Sequence, residues 1–136
     1  MKFDLKLIGY ITTFENYTKT TVKDCFFHEK DLVFIVKEGQ LGKAIGRNGA
    51  HVKVLTMKLK HKLRIIGFDE DPVIFVKNLI YPIEDYTIET RDNNTLMLKP
   101  KDRIVKGKIF GRDKTNFYWI QNVLQRHFKD IKLEMF

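Results

Sequence analysis

The sequence predicts an α+β protein made of two copies of one small unit, each reading helix, strand, strand, helix, helix, strand. Three observations carry that expectation. Apolar runs of strand length stand in pairs, separated by polar turns. Stretches with apolar residues three and four apart surround those pairs, as amphipathic helices require. The whole pattern then recurs at an offset of 65 residues, a divergent internal duplication. At that offset Gly42-Lys43 falls on Gly107-Lys108, Gly46-Arg47 on Gly111-Arg112, and the stripe Val52, Leu55, Leu59 on Phe117, Ile120, Leu124. The first unit is expected at residues 1–69 and the second at 70–136, joined at "GFDEDP" with no low-complexity linker.

From Asp4 to Phe14, the residues Leu7, Ile11 and Phe14 share one helical face. Val22–Phe27 and Asp31–Lys37 read as strands around the polar "HEKD" turn. A short helix is expected over Gln40–Ile45, then the "GRNG" stretch, then a helix carrying the Val52, Leu55, Leu59 stripe. Leu63–Phe68 closes the first unit as a strand. Asp71 and Pro72 make a cap and a first-turn proline for the helix "VIFVKNLIY". Tyr86–Arg91 and Thr95–Lys99 read as strands joined by "DNN". Basic residues and two glycines follow, then the helix "TNFYWIQNVLQRHF" and a closing strand on which Ile131, Leu133 and Met135 alternate.

Composition narrows the function classes. Among 136 residues, 43% are hydrophobic and eleven are Phe, enough for a real core. The longest aliphatic-aromatic run, Leu32 to Val36, is too short to span a membrane, and Asp4 and Lys6 stand where a signal peptide needs apolar residues. A single cysteine, Cys25, excludes an internal disulfide and fits a reducing interior, so a cytoplasmic protein without membrane contact is expected. The net charge of +8 is concentrated. Residues 37–64 hold eight Lys or Arg against Glu38 alone, and residues 99–114 hold seven against Asp102 and Asp113. The remainder of the chain is net acidic. Two basic segments on an acidic frame suggest a footprint for a polyanion.

The chemistry is concentrated at Gly46-Arg47-Asn48-Gly49, between two short helices and just after a strand. Bare glycines there would let phosphates approach amide hydrogens at the start of the following helix. Arg47 supplies charge, Asn48 can donate hydrogen bonds, and Lys43 and Lys53 bracket the turn with further attraction. Gly42 is the first of three glycines, with Gly46 and Gly49, that lead into the helical segment. Ala44 and Ile45 are small or apolar enough to floor a groove for bases, and His51 follows closely enough to touch phosphate. In the second copy Gly111, Arg112 and Lys114 align with this turn, flanked by Lys106 and Lys108. Lys114 stands where the second glycine belongs and Asp113 adds negative charge. The first unit is therefore expected to grip its ligand specifically, and the second to contribute mainly through lysines, Lys99, Lys101 and Arg103 included.

This context is similar to the GxxG loop of a KH domain, which implies clamping of about four nucleotides of single-stranded RNA. The stretch "VFIVKEGQLGKAIGRNGAHVKVL" followed by "FDEDPVIFVKNLI", with an opening helix ending in "VKDC", resembles the archaeal-type NusA family over essentially the whole chain. The resemblance implies two tandem type II (prokaryotic-type) KH domains, RNA as ligand, a role in transcription elongation or termination, and a partnership with RNA polymerase or its transcription complex. Compared with bacterial NusA proteins, a chain of this length leaves no room for an S1-type or separate polymerase-binding domain, so any such contact is expected to use the KH surfaces or another subunit. Two alternatives stay open at this level: a ribosome-assembly or rRNA-processing factor, and a KH-derived adaptor docking acidic proteins.

Other signals have duller readings. The four histidines lie far apart without cysteine partners, so no metal site is expected. "GQLGKA" lacks the spacing of a P-loop, and the chain contains no serine, so nucleotide hydrolysis and serine nucleophiles have no support. No cofactor and no catalytic residue is expected. "NFYWI" could offer stacking surfaces for bases, but helical spacing puts Phe117 and Ile120 on a core stripe and favours packing; Tyr118 shares an outer face with Asn122, Gln125 and Lys129, and Cys25 reads as a small buried group.

Overall fold

A computed structural model describes residues 5–136. Asp4, with which the first predicted helix began, lies outside the described residues. The chain divides into two compact units, Met1–Asp69 and Glu70–Phe136.

In the first unit α1 (Leu5–Thr18) leads into β1 (Val22–His28) and β2 (Asp31–Val36). Then come α2 (Leu41–Ile45), a 3-10 turn (Arg47–Gly49), α3 (Ala50–Leu59) and β3 (Leu63–Gly67). The central strand β2 runs antiparallel to β1 and parallel to β3, with Phe34 opposite both Cys25 and Ile65. A strand paired on both edges has no solvated backbone, and Leu32–Val36 are all fully buried. Leu32, Phe34 and Val36 join Phe14, Cys25, Ala44 and Leu55 in one core. Phe14 stacks on Phe34 with ring centroids 4.2 Å apart. Val33 and Ile35, on the other sheet face, are buried as well.

The helix α1 runs four residues beyond the predicted Phe14. The apolar stripe ends there, but Thr18 is buried, donates its hydroxyl to the Phe14 carbonyl at 2.8 Å and meets Thr20 Oγ1 at 2.7 Å. Lys19, at φ 59°, closes the helix in the left-handed region. The opening helix therefore does not end in "VKDC"; Val22 to Cys25 begin β1.

The second unit repeats the order: α4 (Pro72–Ile80), β4 (Tyr86–Arg91), β5 (Thr95–Pro100), α5 (Arg103–Phe110), a 3-10 turn (Arg112–Lys114), α6 (Thr115–His127) and β6 (Lys132–Met135). Its sheet has the same order, β5 lying antiparallel to β4 and parallel to β6. Asp71 caps α4 through Val73 N–H at 2.9 Å, as the Asp-Pro pair predicts. The basic stretch after β5, readable as helical only through the repeat, is α5, capped by Asp102 accepting from Val105 N–H at 2.9 Å. Asp102→Ala is expected to cost about 1 kcal/mol. It should appear as a lower denaturant midpoint with an unchanged slope. The stripe Phe117, Ile120, Leu124 is buried as predicted, and the fold is the expected tandem α+β arrangement.

Candidate nucleic-acid interface

Gly46 ends α2 at φ 79°, ψ 167°, Asn48 is left-handed at φ 55°, ψ 29°, and Gly49 at φ 74°, ψ 20° precedes α3. Two left-handed residues in a row reverse the chain sharply, so α2 and α3 meet at an exposed tip. Arg47 and Asn48 form that tip, and Lys43 and Lys53 on the neighbouring helices are also exposed. No side chain caps the turn at Gly46 or α3 at Gly49, and no acidic residue occupies the first turn of either element. The turn satisfies its own backbone instead, Gly49 N–H donating to the Gly46 carbonyl at 3.1 Å and Ala50 N–H to the Arg47 carbonyl, whereas α4 and α5 are capped by aspartates.

The three glycines do different jobs. A Cβ at Gly42 or Gly49 would meet no heavy atom within 4 Å, so the surface beside them is open to a ligand backbone. A Cβ at Gly46 would sit 2.7 Å from His51 Cγ and 2.9 Å from His51 N. Gly46 is therefore required by the protein's own packing, a correction to its reading as a phosphate approach alone. His51 is corrected likewise. Its Nδ1–H donates to the Lys43 carbonyl at 2.9 Å and its ring meets Tyr17 edge-on at 5.3 Å, so it fastens α3 to the end of α2. Ala44 does not floor a groove: it is 0% exposed and belongs to the core, because α2 turns that face onto the sheet. Ile45, one residue on, is half-buried.

The second turn has nearly the same backbone. Gly111 (φ 69°, ψ −178°), Asp113 (φ 54°, ψ 28°) and Lys114 (φ 60°, ψ 18°) match Gly46, Asn48 and Gly49. A Cβ at Gly111 would lie 2.7 Å from Asn116 Cβ, and Asn116 Nδ2 donates to the Ile109 carbonyl at 3.1 Å, as His51 does one unit earlier. Arg112, Lys114 and Lys108 are exposed, and Lys106 is half-buried. Lys99 is not an idle cation. Its ammonium is ion-paired with Glu89, whose carboxyl it holds below the ordinary range by a hydrogen bond and by charge. Phe110, which periodicity does not single out, ends α5 beside this turn; the repeat offset, setting it against Ile45, is the signal that finds it. Among the described residues no cluster of three or more His, Cys, Asp or Glu could hold a metal ion, and no helix is long and apolar enough to cross a membrane.

Fold and turns together define a KH-type protein. The KH-domain family matches residues 9–78, just over half of the chain, and the chain belongs to that family. Over 134 residues it is 29% identical to a Methanocaldococcus jannaschii protein named probable transcription termination protein NusA, covering 97% of this chain and 72% of that one. A Methanococcus vannielii protein of the same name is 39% identical over 84 residues, which cover 62% of this chain and 49% of that protein. The crystal structure of APE1850 superimposes with a TM-score of 0.72 at 27% identity, covering 98% of this chain and all of that one. The resemblance to the archaeal-type NusA family is borne out by these relatives.

Proposed function

We propose that this chain binds single-stranded RNA through the turn at residues 46–49 and acts as a NusA-like factor in transcription elongation or termination, in company with RNA polymerase. One observation carries the ligand: an exposed turn sets Arg47 and Asn48 at its tip and Lys43 and Lys53 beside it, with open space at Gly42 and Gly49. Phosphates would lie along Gly42, Gly46 and Gly49, with Lys43, Arg47 and Lys53 supplying charge, Asn48 a donor and Ile45 an apolar edge for a base. Gly111, Arg112, Lys114, Lys106 and Lys108 would offer the second unit's own contacts to RNA. The transcription role is supported by the names of the relatives.

Electrostatic binding of this kind has a measurable signature. Each phosphate neutralised on a single strand contributes about −0.7 to the slope of log affinity against log salt. Lys43, Arg47 and Lys53 alone give a slope of about −2, and Lys108, Arg112 and Lys114 bring it to about −4. Fluorescence anisotropy across a salt series reads it directly; a flat line would remove the phosphate-clamp reading. Co-purification with RNA polymerase supports the transcription role, and co-purification with ribosomal particles would replace it.

A further inference from the structure

The second turn differs from the first in a correlated way. At the repeat offset, Ile45, Gly49, Val52 and Lys53 become Phe110, Lys114, Phe117 and Tyr118. The backbone has not changed with them, since Lys114 reproduces the left-handed geometry of Gly49 within a few degrees in ψ. The lost glycine therefore leaves the turn intact, while three positions around it have turned aromatic or exchanged one aliphatic group for a ring. The rings form a continuous strip. Phe110 meets Phe117 at 5.5 Å and Phe117 meets Tyr118 at 6.1 Å, both close to edge-on. Phe117, 8% exposed, roots the strip in the unit's core, and Tyr118 is 52% exposed. The ammonium groups of Lys106 and Lys114 lie 5.9 and 5.1 Å from the Phe110 centroid. A face of that ring is thus turned toward surface cations and away from the apolar interior.

We propose that this strip is a base-stacking site for single-stranded RNA. It rests on the RNA-binding reading above and gives the second unit a different means of contact from the first. A nucleobase takes the faces of Phe110 and Tyr118, and Lys106 and Lys114 exchange a weak cation–π contact for the flanking phosphates. Stacking needs no close approach of the RNA backbone to the turn, so a lysine at 114 is no obstacle. Asp113, exposed at the tip where the first turn has Asn48, repels phosphates there and leaves the ring strip as the attractive surface beside it. Every base has a flat face, so the site adds affinity with little sequence preference.

The test uses the full chain carrying Arg47→Asp and Asn48→Asp, so that the second unit dominates. Phe110→Ile, which installs the first unit's own residue, is combined with Tyr118→Ala, a surface change. Affinity is measured for an adenosine oligomer and for an abasic ribose-phosphate oligomer of equal length. The expected result is a loss of about tenfold or more for the adenosine oligomer, the scale of a stacked base, with abasic binding and the salt slope unchanged. Tyr118→Phe should retain most of the affinity. Unchanged adenosine binding overturns the proposal, as does an equal loss for both oligomers, which would point to a general disturbance of the unit. Tyr118→Ala alone, at an exposed position, gives the same readout if the double variant does not fold. An unmutated chain that binds neither oligomer removes the RNA reading itself; one whose strip instead retains an acidic protein overturns stacking alone.

Discussion

Replacing Arg47 and Asn48 together by aspartate is expected to lower RNA affinity by about a hundredfold or more. Each lost charge-assisted hydrogen bond is worth about 1.5–3 kcal/mol, and each new carboxylate repels the phosphates that the turn would hold. Stability should move by less than about 0.5 kcal/mol, because both side chains are exposed. The backbone also accepts the change: Asp113 already occupies, at φ 54°, the conformation that Asn48 holds at φ 55°. Arg112→Asp with Lys114→Asp should cost clearly less, since that turn already carries Asp113 and no second glycine. Anisotropy titrations of both variants beside thermal melts decide the matter. Equal losses would discard the asymmetry between the units, and an unaffected first-turn variant would move the ligand elsewhere.

Gly46→Ala should instead damage the fold. The conformation at φ 79°, ψ 167° is accessible essentially to glycine alone, at a cost of about 1–3 kcal/mol for other residues. The added methyl would also press within 2.9 Å of the His51 backbone nitrogen, which only a shift of the whole start of α3 could relieve. A loss of about 3 kcal/mol or more is expected, a large share of what a unit this small can hold in reserve. Gly49→Ala faces open space and bears only the left-handed penalty of about 1–2 kcal/mol, a conformation Lys114 already tolerates one unit later. Denaturant titration separates the two: Gly46→Ala should lower the midpoint strongly, Gly49→Ala modestly. Equal midpoints would show that His51 packing is not what fixes Gly46. The reverse order would make Gly49 the structural glycine.

Much of the two turns is written in local sequence. The duplication, the element order and the position of the turn were visible because each rests on neighbours in sequence: apolar residues at helical or strand spacing, an Asp-Pro start, glycines that permit a left-handed backbone. Boundaries were weaker. Thr18 extends α1 through a hydroxyl bond to its own helix, and no hydrophobic pattern records such a bond.

Chain order alone is enough to specify two repeated α+β units and one intact glycine turn, since periodicity and backbone freedom are local properties. It could not say that Ala44 faces the core, that His51 forbids a side chain at Gly46, that Glu89 engages Lys99, or that Phe110, Phe117 and Tyr118 make one strip. Each of those rests on which side of an element a residue faces or on what packs against it once the chain is folded. A glycine needed for ligand approach and one needed for packing look the same in a sequence. They part company only in the space that the folded chain leaves beside each.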